Sequence, residues 1–180
     1  MLRVAIVGNI ASGKSTVEEI LKEQGYPVYD TDKIAHEILA NSGEIKNIFG
    51  TVDRKVIAGV VFSEPEKLKV LESIIHPQVK EQILKIFENH SDIIFVSVPQ
   101  LFEAGFENLF DKIIYVSANK EIRKERLIKR NSISPQEAQL RINAQSEVGK
   151  KEKCDFIIEN NSSKVELVQK VSNVLSVLVG

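Results

Sequence analysis

Short apolar runs alternate along the chain with longer segments whose apolar residues recur at helical spacing. Nearly continuous apolar runs, which are typical of strands buried in a parallel sheet, occur at 4–7, 93–98, 112–116 and 156–158, and a shorter one occurs at 26–29. Helical segments separate these runs. Five strands that alternate with helices predict an α/β fold in three layers, with a five-stranded parallel sheet in the middle.

Helical spacing covers most of the remaining chain. It predicts helices at 16–22, 33–40, 119–131, 134–145 and 163–179, and in the middle of the chain at 45–50, 52–62, 65–75 and 77–88. No convincing strand occurs between 33 and 90, and Pro77 is expected to separate the last two of these helices. Because a strand-to-strand crossover needs only about a dozen residues, we interpret 33–90 as an inserted helical subdomain.

The composition bears on which partners are possible. The 180 residues include 24 basic and 25 acidic side chains, so the net charge of −1 gives no overall field that would attract nucleic acid or an anionic membrane. The chain enters its first strand without a basic leader, and no apolar run approaches the about 18 residues of a membrane helix. The single cysteine, Cys154, suits a reducing compartment and is expected to be a small buried residue. We therefore expect a cytoplasmic protein that binds neither nucleic acid nor membranes.

The clearest motif directly follows the first predicted strand. Residues 8–15 match the phosphate-binding pattern G-x-x-x-x-G-K-[S/T]. Gly8 and Gly13 let the backbone turn its N–H groups towards phosphate oxygens, and the helix that follows adds its positive N-terminal end. Lys14 is expected to bridge the β- and γ-phosphates of ATP, and the Ser15 hydroxyl to ligate Mg²⁺. The alternative is an ordinary glycine turn between a strand and a helix.

Two aspartates follow the second predicted strand, at the sheet edge where α/β proteins bind ligands. Asp32 is the leading candidate for the carboxylate that accepts a proton from, or orients, an acceptor hydroxyl in phosphoryl transfer, and Asp30 competes for that role. Aspartate is also a common N-cap, so either residue could instead cap the helix predicted from Lys33. The two roles could also be divided, one to each aspartate.

The predicted helix at 119–131 is rich in basic residues. Arg126 and Arg130 are four positions apart and share one face, which suits a lid at 119–153 that closes over transferring phosphates. A solvated surface is the alternative for this pair. It is the preferred interpretation for the other basic residues of the helix, Arg123, Lys124 and Lys129.

The inserted segment contributes weaker candidates. Arg54 could hold an anionic acceptor, with a solvated position as the alternative. His76 is expected to mark a helix boundary ahead of Pro77 or to touch the acceptor. Its spacing from His36 and His90 is not that of metal ligands, so a metal site built only from protein ligands is not expected.

Together these features resemble the dephospho-CoA kinase family over essentially the whole chain. The matching segments are GNIASGKST at 8–16, VYDTDKIA at 28–35, FG at 49–50, DR at 53–54, VF at 61–62, LE at 71–72, HP at 76–77, PQLFE at 99–103, RL at 126–127 with Arg130, AQ at 144–145, and Asp155 leading to Asn160. The resemblance implies the fold of the P-loop NTPases, with a core at 1–32, 91–118 and 154–180. It also implies ATP-dependent phosphorylation of the ribose 3′-hydroxyl of dephospho-CoA, the last step of coenzyme A biosynthesis, which yields CoA and ADP.

The resemblance also implies roles for individual residues. Asp32 matches the catalytic aspartate of the family, and Arg126 matches its phosphate-contacting lid arginine; Lys14 acts with them. The implied nucleotide site comprises Gly8, Ala11, Ser12, Gly13, Lys14, Ser15, Thr16, Arg130 and Asn161, with Ser15 as the Mg²⁺ ligand. The implied acceptor site comprises Asp32, Arg54, His76 and Glu103, and the helical insertion 33–90 receives dephospho-CoA. A monomer or a weak homo-oligomer is expected.

The chain departs from the family pattern at several positions. Asn9 and Ala11 replace two loop glycines, which the loop tolerates only if these positions do not need positive φ. Ser97 stands where many members carry an acidic residue, which leaves Mg²⁺ without that second-sphere carboxylate. Gln100 replaces a usual leucine, and Cys154 a usual alanine.

Two other functions remain open at this stage. Another small-molecule kinase of the same fold, of the nucleoside or shikimate type, would share the phosphate loop. A GTP-binding switch would also use such a loop, and the segment at 119–122 superficially resembles the guanine-binding pattern N-K-x-D. That segment lacks the aspartate, however, and no D-x-x-G follows the third strand, so the switch is the least favoured of these functions.

Overall fold

The computed structural model describes residues 1–145 and 149–180, and one five-stranded sheet runs through it. The strands are β1 (Leu2–Gly8), β2 (Val28–Asp30), β3 (Ile93–Ser97), β4 (Lys112–Ser117) and β5 (Phe156–Glu159). They lie in the order β2-β3-β1-β4-β5, and β1 pairs in parallel with both β3 and β4, as β4 does with β5. The five predicted strands and the α/β class are therefore confirmed.

Strand β1 lies at the centre of the sheet because its residues can be buried on both faces. Val4, Ala5 and Ile6 are completely inaccessible to solvent. The register places Ile6 opposite Ser97 of β3, and Gly8 opposite Val116 of β4. The carboxyl ends of the three strands therefore share one edge of the sheet, which is where a parallel α/β sheet holds its ligands.

Helices connect the strands. They are α1 (Lys14–Glu23), α2 (Thr31–Asn41), α3 (Gly43–Phe49), α4 (Arg54–Ser63), α5 (Pro65–Glu88), α6 (Lys120–Asn131), α7 (Pro135–Asn143) and α8 (Lys164–Val179), with 3₁₀ turns at Glu107–Leu109 and Lys151–Lys153. Side-chain caps begin several of them. The Ser134 hydroxyl accepts a hydrogen bond from the Glu137 N–H at 3.1 Å, and Pro135 follows it as the first helical residue.

The described chain divides into two compact units, each with an apolar core of its own. We call the first the sheet unit; it comprises Met1–Tyr29 and Asp92–Gly180. Its main core joins residues of the sheet to those of two helices, namely Val17, Ile20 and Leu21 of α1 and Leu167, Val171 and Leu175 of α8. The second, the helical unit, is Asp30–Ser91, and its core consists of Leu39, Ile45, Ile57, Leu71 and Ile74.

Helix α5 corrects the predicted break at Pro77. It continues without interruption from Pro65 to Glu88, and Pro77 lies inside it. Proline removes one main-chain hydrogen bond from a helix, but burial of apolar residues on both sides of Pro77, such as Ile74 and Val79, outweighs that loss. The expectation that His76 marks a helix boundary is therefore wrong.

Arg123 corrects a second expectation. It was assigned to a solvated face, yet only 1% of it is exposed. Leu127, four residues later, is also buried, so both residues lie on the inner face of α6. A run of charges does not by itself predict exposure, because each residue's position on the helix decides whether it is buried.

Ion pairs join neighbouring strands at the amino ends of β4 and β5. Arg3 donates two side-chain hydrogen bonds to Asp111, at 2.6 and 3.0 Å, and these bonds lower the pKa of that carboxyl. Burial opposes ionisation of Asp155, but hydrogen bonds from Lys112 and the Ile113 N–H outweigh it and lower the pKa. These ion pairs stabilise the amino end of the sheet, opposite the end that carries the phosphate loop.

A further expectation concerns Cys154. Cys154 is half-buried just before β5, and its thiol donates to the Lys150 carbonyl at 3.1 Å. Burial raises its pKa to about 11, as expected of an unreactive thiol.

Among residues 1–145 and 149–180, no helix is both long and apolar enough to cross a membrane.

Candidate active site

Both glycines of the phosphate loop are required by their surroundings. A Cβ atom at Gly8 would lie 2.6 Å from the Val116 carbonyl oxygen of β4. At Gly13 the φ angle is +92°, which favours glycine, and a Cβ atom there would collide with the Asn160 side-chain amide. The loop between them therefore has its backbone pressed against β4 on one side and Asn160 on the other, and α1 starts immediately after Gly13.

The backbone angles at Asn9 and Ala11 show whether the replaced loop glycines need positive φ. Its φ angle is +59°, so it adopts the left-handed conformation that the family glycine would adopt without strain, whereas Asn9 does not have positive φ. The condition that neither position needs positive φ is therefore met at Asn9 and not at Ala11. In return, Ile10 and Ala11 pack against an apolar cluster of Leu127, Ala138 and Ile142 in α6 and α7.

Asn160 and Arg126 hold the loop at Ser12. The Asn160 amide donates to the Ser12 carbonyl at 2.9 Å, and the Arg126 guanidinium donates to the same carbonyl at 3.3 Å. Arg126 also donates to the Asn160 carbonyl at 3.0 Å. The arginine assigned to a lid thus lies beside the phosphate loop, where its charge can meet the phosphates of a nucleotide.

Gln145 holds the tip of the loop and was not among the candidate residues. Its side-chain oxygen accepts a hydrogen bond from the Ile10 N–H at 2.7 Å. The only sequence signal was the family match at 144–145. Because this bond joins residues 135 positions apart, only the folded chain shows what the glutamine does.

Lys14 is held between a strand and a helix. Its ammonium donates to the Ser97 hydroxyl at the end of β3, at 2.6 Å, and to the Glu18 carboxylate one turn along α1, at 3.0 Å. Glu18 is buried, and it too was not among the candidates. Its i,i+4 spacing from Lys14 was the available signal.

Two further residues of the implied nucleotide site, Asn161 and Arg130, make contacts elsewhere in the sheet unit. The Asn161 side-chain oxygen accepts from the Asn119 N–H at 2.7 Å, which ties the loop after β5 to the start of α6. Arg130 is exposed and donates to its neighbour Asn131 at 2.8 Å, so the described contacts bring Arg126 to the phosphate loop and not Arg130.

Glu103 lies in the loop after β3, also within the sheet unit. Its carboxylate forms an ion pair with the Lys150 ammonium at 2.5 Å. Nearby, the Lys153 ammonium lies 5.5 Å from the centre of the Phe102 ring. Arg123 and Lys151 line a small cavity together with Asn9 of the phosphate loop.

Asp30 takes the capping role that the sequence left open between Asp30 and Asp32. Asp30 is the N-cap of α2, and its carboxylate accepts from the Asp32 N–H at 2.9 Å. Asp32 follows in the first helical turn and is exposed. The helix therefore begins two residues earlier than predicted, with Asp30 as its cap.

Two other acceptor candidates, Arg54 and His76, also belong to the helical unit. Arg54 is the exposed first residue of α4, whose N-cap is Asp53; that carboxylate accepts from the Lys55 N–H at 2.8 Å. His76 is half-buried in the middle of α5. The structure thus brings together Lys14, Arg126 and the loop backbone within the sheet unit, whereas Asp32, Arg54 and His76 belong to the helical unit.

The residues present fit a magnesium ion that is held mainly by a nucleotide. Within the described parts of the chain, no group of three or more histidine, cysteine or acidic side chains could hold a metal. Ser15 lies in the first turn of α1 with an exposed side chain. Mg²⁺ commonly takes only one or two protein ligands and completes its shell with phosphate oxygens and water, which a single serine permits.

Comparisons with known proteins find one family over nearly the whole chain. The family model described as CoaE, dephospho-CoA kinase, matches residues 2–166. The dephospho-CoA kinase of Lactobacillus johnsonii is 34% identical over 189 residues, with 96% of each chain covered. A crystal structure from Thermus thermophilus superposes with a TM-score of 0.88 and 35% identity, covering 99% of this chain and 98% of that one.

A shikimate kinase from Bacteroides thetaiotaomicron marks the limit of the likeness. It covers 99% of each chain with a TM-score of 0.61, but only 12% of residues are identical, so it shares the fold alone. The nucleoside-kinase, shikimate-kinase and GTP-switch alternatives are therefore not retained. On its phosphate loop, its fold and a family match that spans nearly the whole chain, the chain belongs to the dephospho-CoA kinase family.

Proposed function

We propose that the chain transfers the γ-phosphate of ATP to the ribose 3′-hydroxyl of dephospho-CoA, and we assign each candidate residue a role in this reaction. The observation that carries the proposal is the phosphate loop, in which Gly13 adopts positive φ and delivers Lys14 to the carboxyl edge of the sheet. Successive N–H groups of such a loop, together with the helix N-terminus, favour the bound triphosphate. The acceptor, dephospho-CoA, is inferred from the family to which the chain belongs.

Lys14 and Arg126 stabilise the charge of the transferred phosphoryl group in this proposal. Phosphoryl transfer is accelerated chiefly by positioning and by cations placed where charge develops. The Arg126 guanidinium lies at hydrogen-bond distance from Ser12, in the loop itself. In the proposal, Gly8, Ala11, Ser12 and Thr16 contribute backbone contacts to the phosphates, Arg130 closes over the phosphates together with Arg126, and Asn161 is a further nucleotide-binding residue.

Mg²⁺ is part of the same proposal, with the Ser15 hydroxyl as its protein ligand. When bound, the ion neutralises charge on the β- and γ-phosphates. Asp32 accepts the proton of the acceptor hydroxyl, or orients that hydroxyl, while Arg54, His76 and Glu103 bind the rest of dephospho-CoA. The helical insertion 33–90 serves as the acceptor-binding region and 119–153 as a lid. A cytoplasmic monomer or weak homo-oligomer without affinity for nucleic acid completes the proposal.

Paired aspartate variants test the proposed role of Asp32. ADP release that depends on dephospho-CoA is measured for the parent, for Asp32→Asn and for Asp30→Asn. Asparagine caps a helix about as well as aspartate, so Asp30→Asn removes a neighbouring charge and leaves the cap of α2 in place. Loss of a general base lowers turnover by about 10²- to 10⁴-fold. We expect this loss for Asp32→Asn and near-parental turnover for Asp30→Asn.

The outcomes separate the parts of the proposal. Equal turnover of the two variants removes the catalytic role of Asp32. A larger loss in Asp30→Asn than in Asp32→Asn reverses the assignment. Formation of CoA, identified by mass, tests the acceptor itself, and a parent protein that forms no CoA contradicts the overall reaction.

A further inference from the structure

The ammonium of the loop lysine is held from two sides. Ser97 lies 2.6 Å from it at the end of β3, and Glu18 lies 3.0 Å from it on α1. The Glu18 side chain is 9% exposed and that of Lys14 18%. The phosphate-loop pattern ends at Ser15, so it specifies neither of these two partners.

Glu18 differs from the surface ion pairs of the same chain. The Lys85–Glu81 pair has the same i,i+4 spacing, but both of its side chains are more than half exposed. Burial of a carboxylate is unfavourable unless a cation and hydrogen bonds compensate it. The other inward residues of α1, such as Val17, Ile20 and Leu21, are apolar. An apolar residue would therefore suit the core better at position 18, and the carboxylate is explained by its partner Lys14.

We propose that Glu18 is a positioning residue for Lys14. Lysine has a long flexible side chain with a single compact charge, so its ammonium needs a partner to stay in one place. The Glu18 carboxylate and the Ser97 hydroxyl fix it at the edge of the sheet, on the side where phosphates bind. The inference rests on the proposed function, because it assigns to Lys14 the charge stabilisation of the transferred phosphoryl group.

A competing role of the same carboxylate predicts a different result. A negative charge beside the phosphate site repels a triphosphate, so removing it favours nucleotide binding. Positioning, in contrast, matters most when charge moves during transfer. If Glu18 positions Lys14, its neutralisation lowers kcat without weakening nucleotide binding. If Glu18 only competes with phosphate, nucleotide binding tightens and kcat stays at the parental value.

The test compares Glu18→Gln with Glu19→Gln, which removes the adjacent but exposed carboxylate of the same helix. Steady-state kcat and KM for ATP are measured, together with the Kd of a non-hydrolysable ATP analogue with Mg²⁺ by calorimetry. We expect an about tenfold lower kcat for Glu18→Gln, an unchanged or lower Kd, and parental values for Glu19→Gln. A parental kcat for Glu18→Gln, or a raised Kd as the only change, overturns the proposal.

A relocated charge separates positioning from a merely structural effect. Because the Ser97 hydroxyl contacts the same ammonium, aspartate at position 97 presents a carboxylate to Lys14 from β3 instead of α1. The double variant Glu18→Gln with Ser97→Asp is expected to recover kcat to within about threefold of the parent. A loss that follows a lowered Tm and is not recovered in the double variant overturns the proposal.

A final readout does not depend on the acceptor. NMR relaxation of the Lys14 side-chain nitrogen, with the analogue and Mg²⁺ bound, is expected to report an ordered ammonium in the parent and a mobile one in Glu18→Gln. Equal order in the two proteins overturns the inference even if the acceptor were not dephospho-CoA. Absence of CoA formation by the parent, with the expected difference in order, contradicts the proposed function and leaves the positioning role supported.

Discussion

The two units of the chain organise their polar residues in different ways. In the sheet unit, hydrogen bonds at the phosphate loop join residues far apart in sequence: Lys14 to Ser97, Arg126 to Ser12, and Ile10 to Gln145. In the helical unit, the caps of α2 and α4 are local: the Asp32 N–H donates to Asp30, and the Lys55 N–H donates to Asp53. A rigid phosphate site is thus built from tertiary contacts, whereas the helical unit uses local caps around an apolar core.

Because of this difference, the property that a substitution changes is expected to depend on the unit in which it lies. Around the loop, one side chain supports another that is distant in sequence, so a change there is expected to disturb nucleotide binding before it disturbs the fold. In the helical unit, where Ile45 and Ile57 are at most 1% exposed, a change in the core is expected to disturb stability first. Substitutions at Gly13, Ile57 and Ala11 test this contrast between the units.

Gly13→Ala is expected to weaken binding of the ATP analogue by at least about 100-fold. The new Cβ atom collides with Asn160 and also strains a backbone that has φ of +92°. Calorimetry measures the loss. Gly25→Ala is the matched control because its φ is +87° but no atom lies within 4 Å of the new Cβ, so it carries the strain without the collision. Equal effects of the two variants would show that strain alone acts and that Asn160 does not support the loop.

Ile57→Ala is expected to lower the free energy of unfolding of the helical unit by about 2–5 kcal/mol, since it removes buried apolar volume. Val56→Ala is the control, because Val56 is 53% exposed. Hydrogen exchange resolved by residue measures the change in each unit. The contrast between the units predicts lost protection at 30–91 with the Kd of the ATP analogue near the parental value. A weakened Kd of the same order as for Gly13→Ala would contradict it.

Ala11→Gly is expected to have the smallest effect. Glycine relieves the strain at φ of +59°, which raises the free energy of unfolding by about 0.5–1 kcal/mol. Ser132→Gly is the control, since Ser132 has φ of +51° and is exposed. Because Ala11 also packs against the cluster in α6 and α7, its substitution should gain less than that of Ser132. Thermal unfolding compares them, and a larger gain at Ala11 would show that this packing contributes nothing.

Elements with strong local signals could be predicted from the sequence. The apolar runs located all five strands, and the pattern at 8–15 located the turn between β1 and α1. The same signals failed where a local rule was outweighed by packing, as at Pro77 inside α5. They also failed at Arg123, where the charge suggested a solvated face although the position on the helix places it in the interior.

The candidate site was predictable to a lesser extent. Lys14, Gly13 and Arg126 stood out by motif, spacing or family resemblance. Glu18 and Gln145 did not, because a glutamate on a helix and a glutamine near a helix end are ordinary in sequence and gain their meaning from the atoms they contact. The sequence allowed either Asp30 or Asp32 to be the N-cap of α2, and one hydrogen bond of 2.9 Å assigns the cap to Asp30.

Local patterns in the sequence were sufficient for the class of fold and the phosphate loop, because apolar periodicity and a glycine-lysine motif depend on residues close together in the chain. The family was indicated by the resemblance of segments spread along the whole chain. Only the tertiary structure decided what surrounds Lys14, that Ala11 adopts positive φ, and that Arg126 lies on Ser12. Those features depend on side chains brought together from distant segments. Burial and hydrogen bonding between such segments depend on how the whole sheet unit packs, so no single segment determines them.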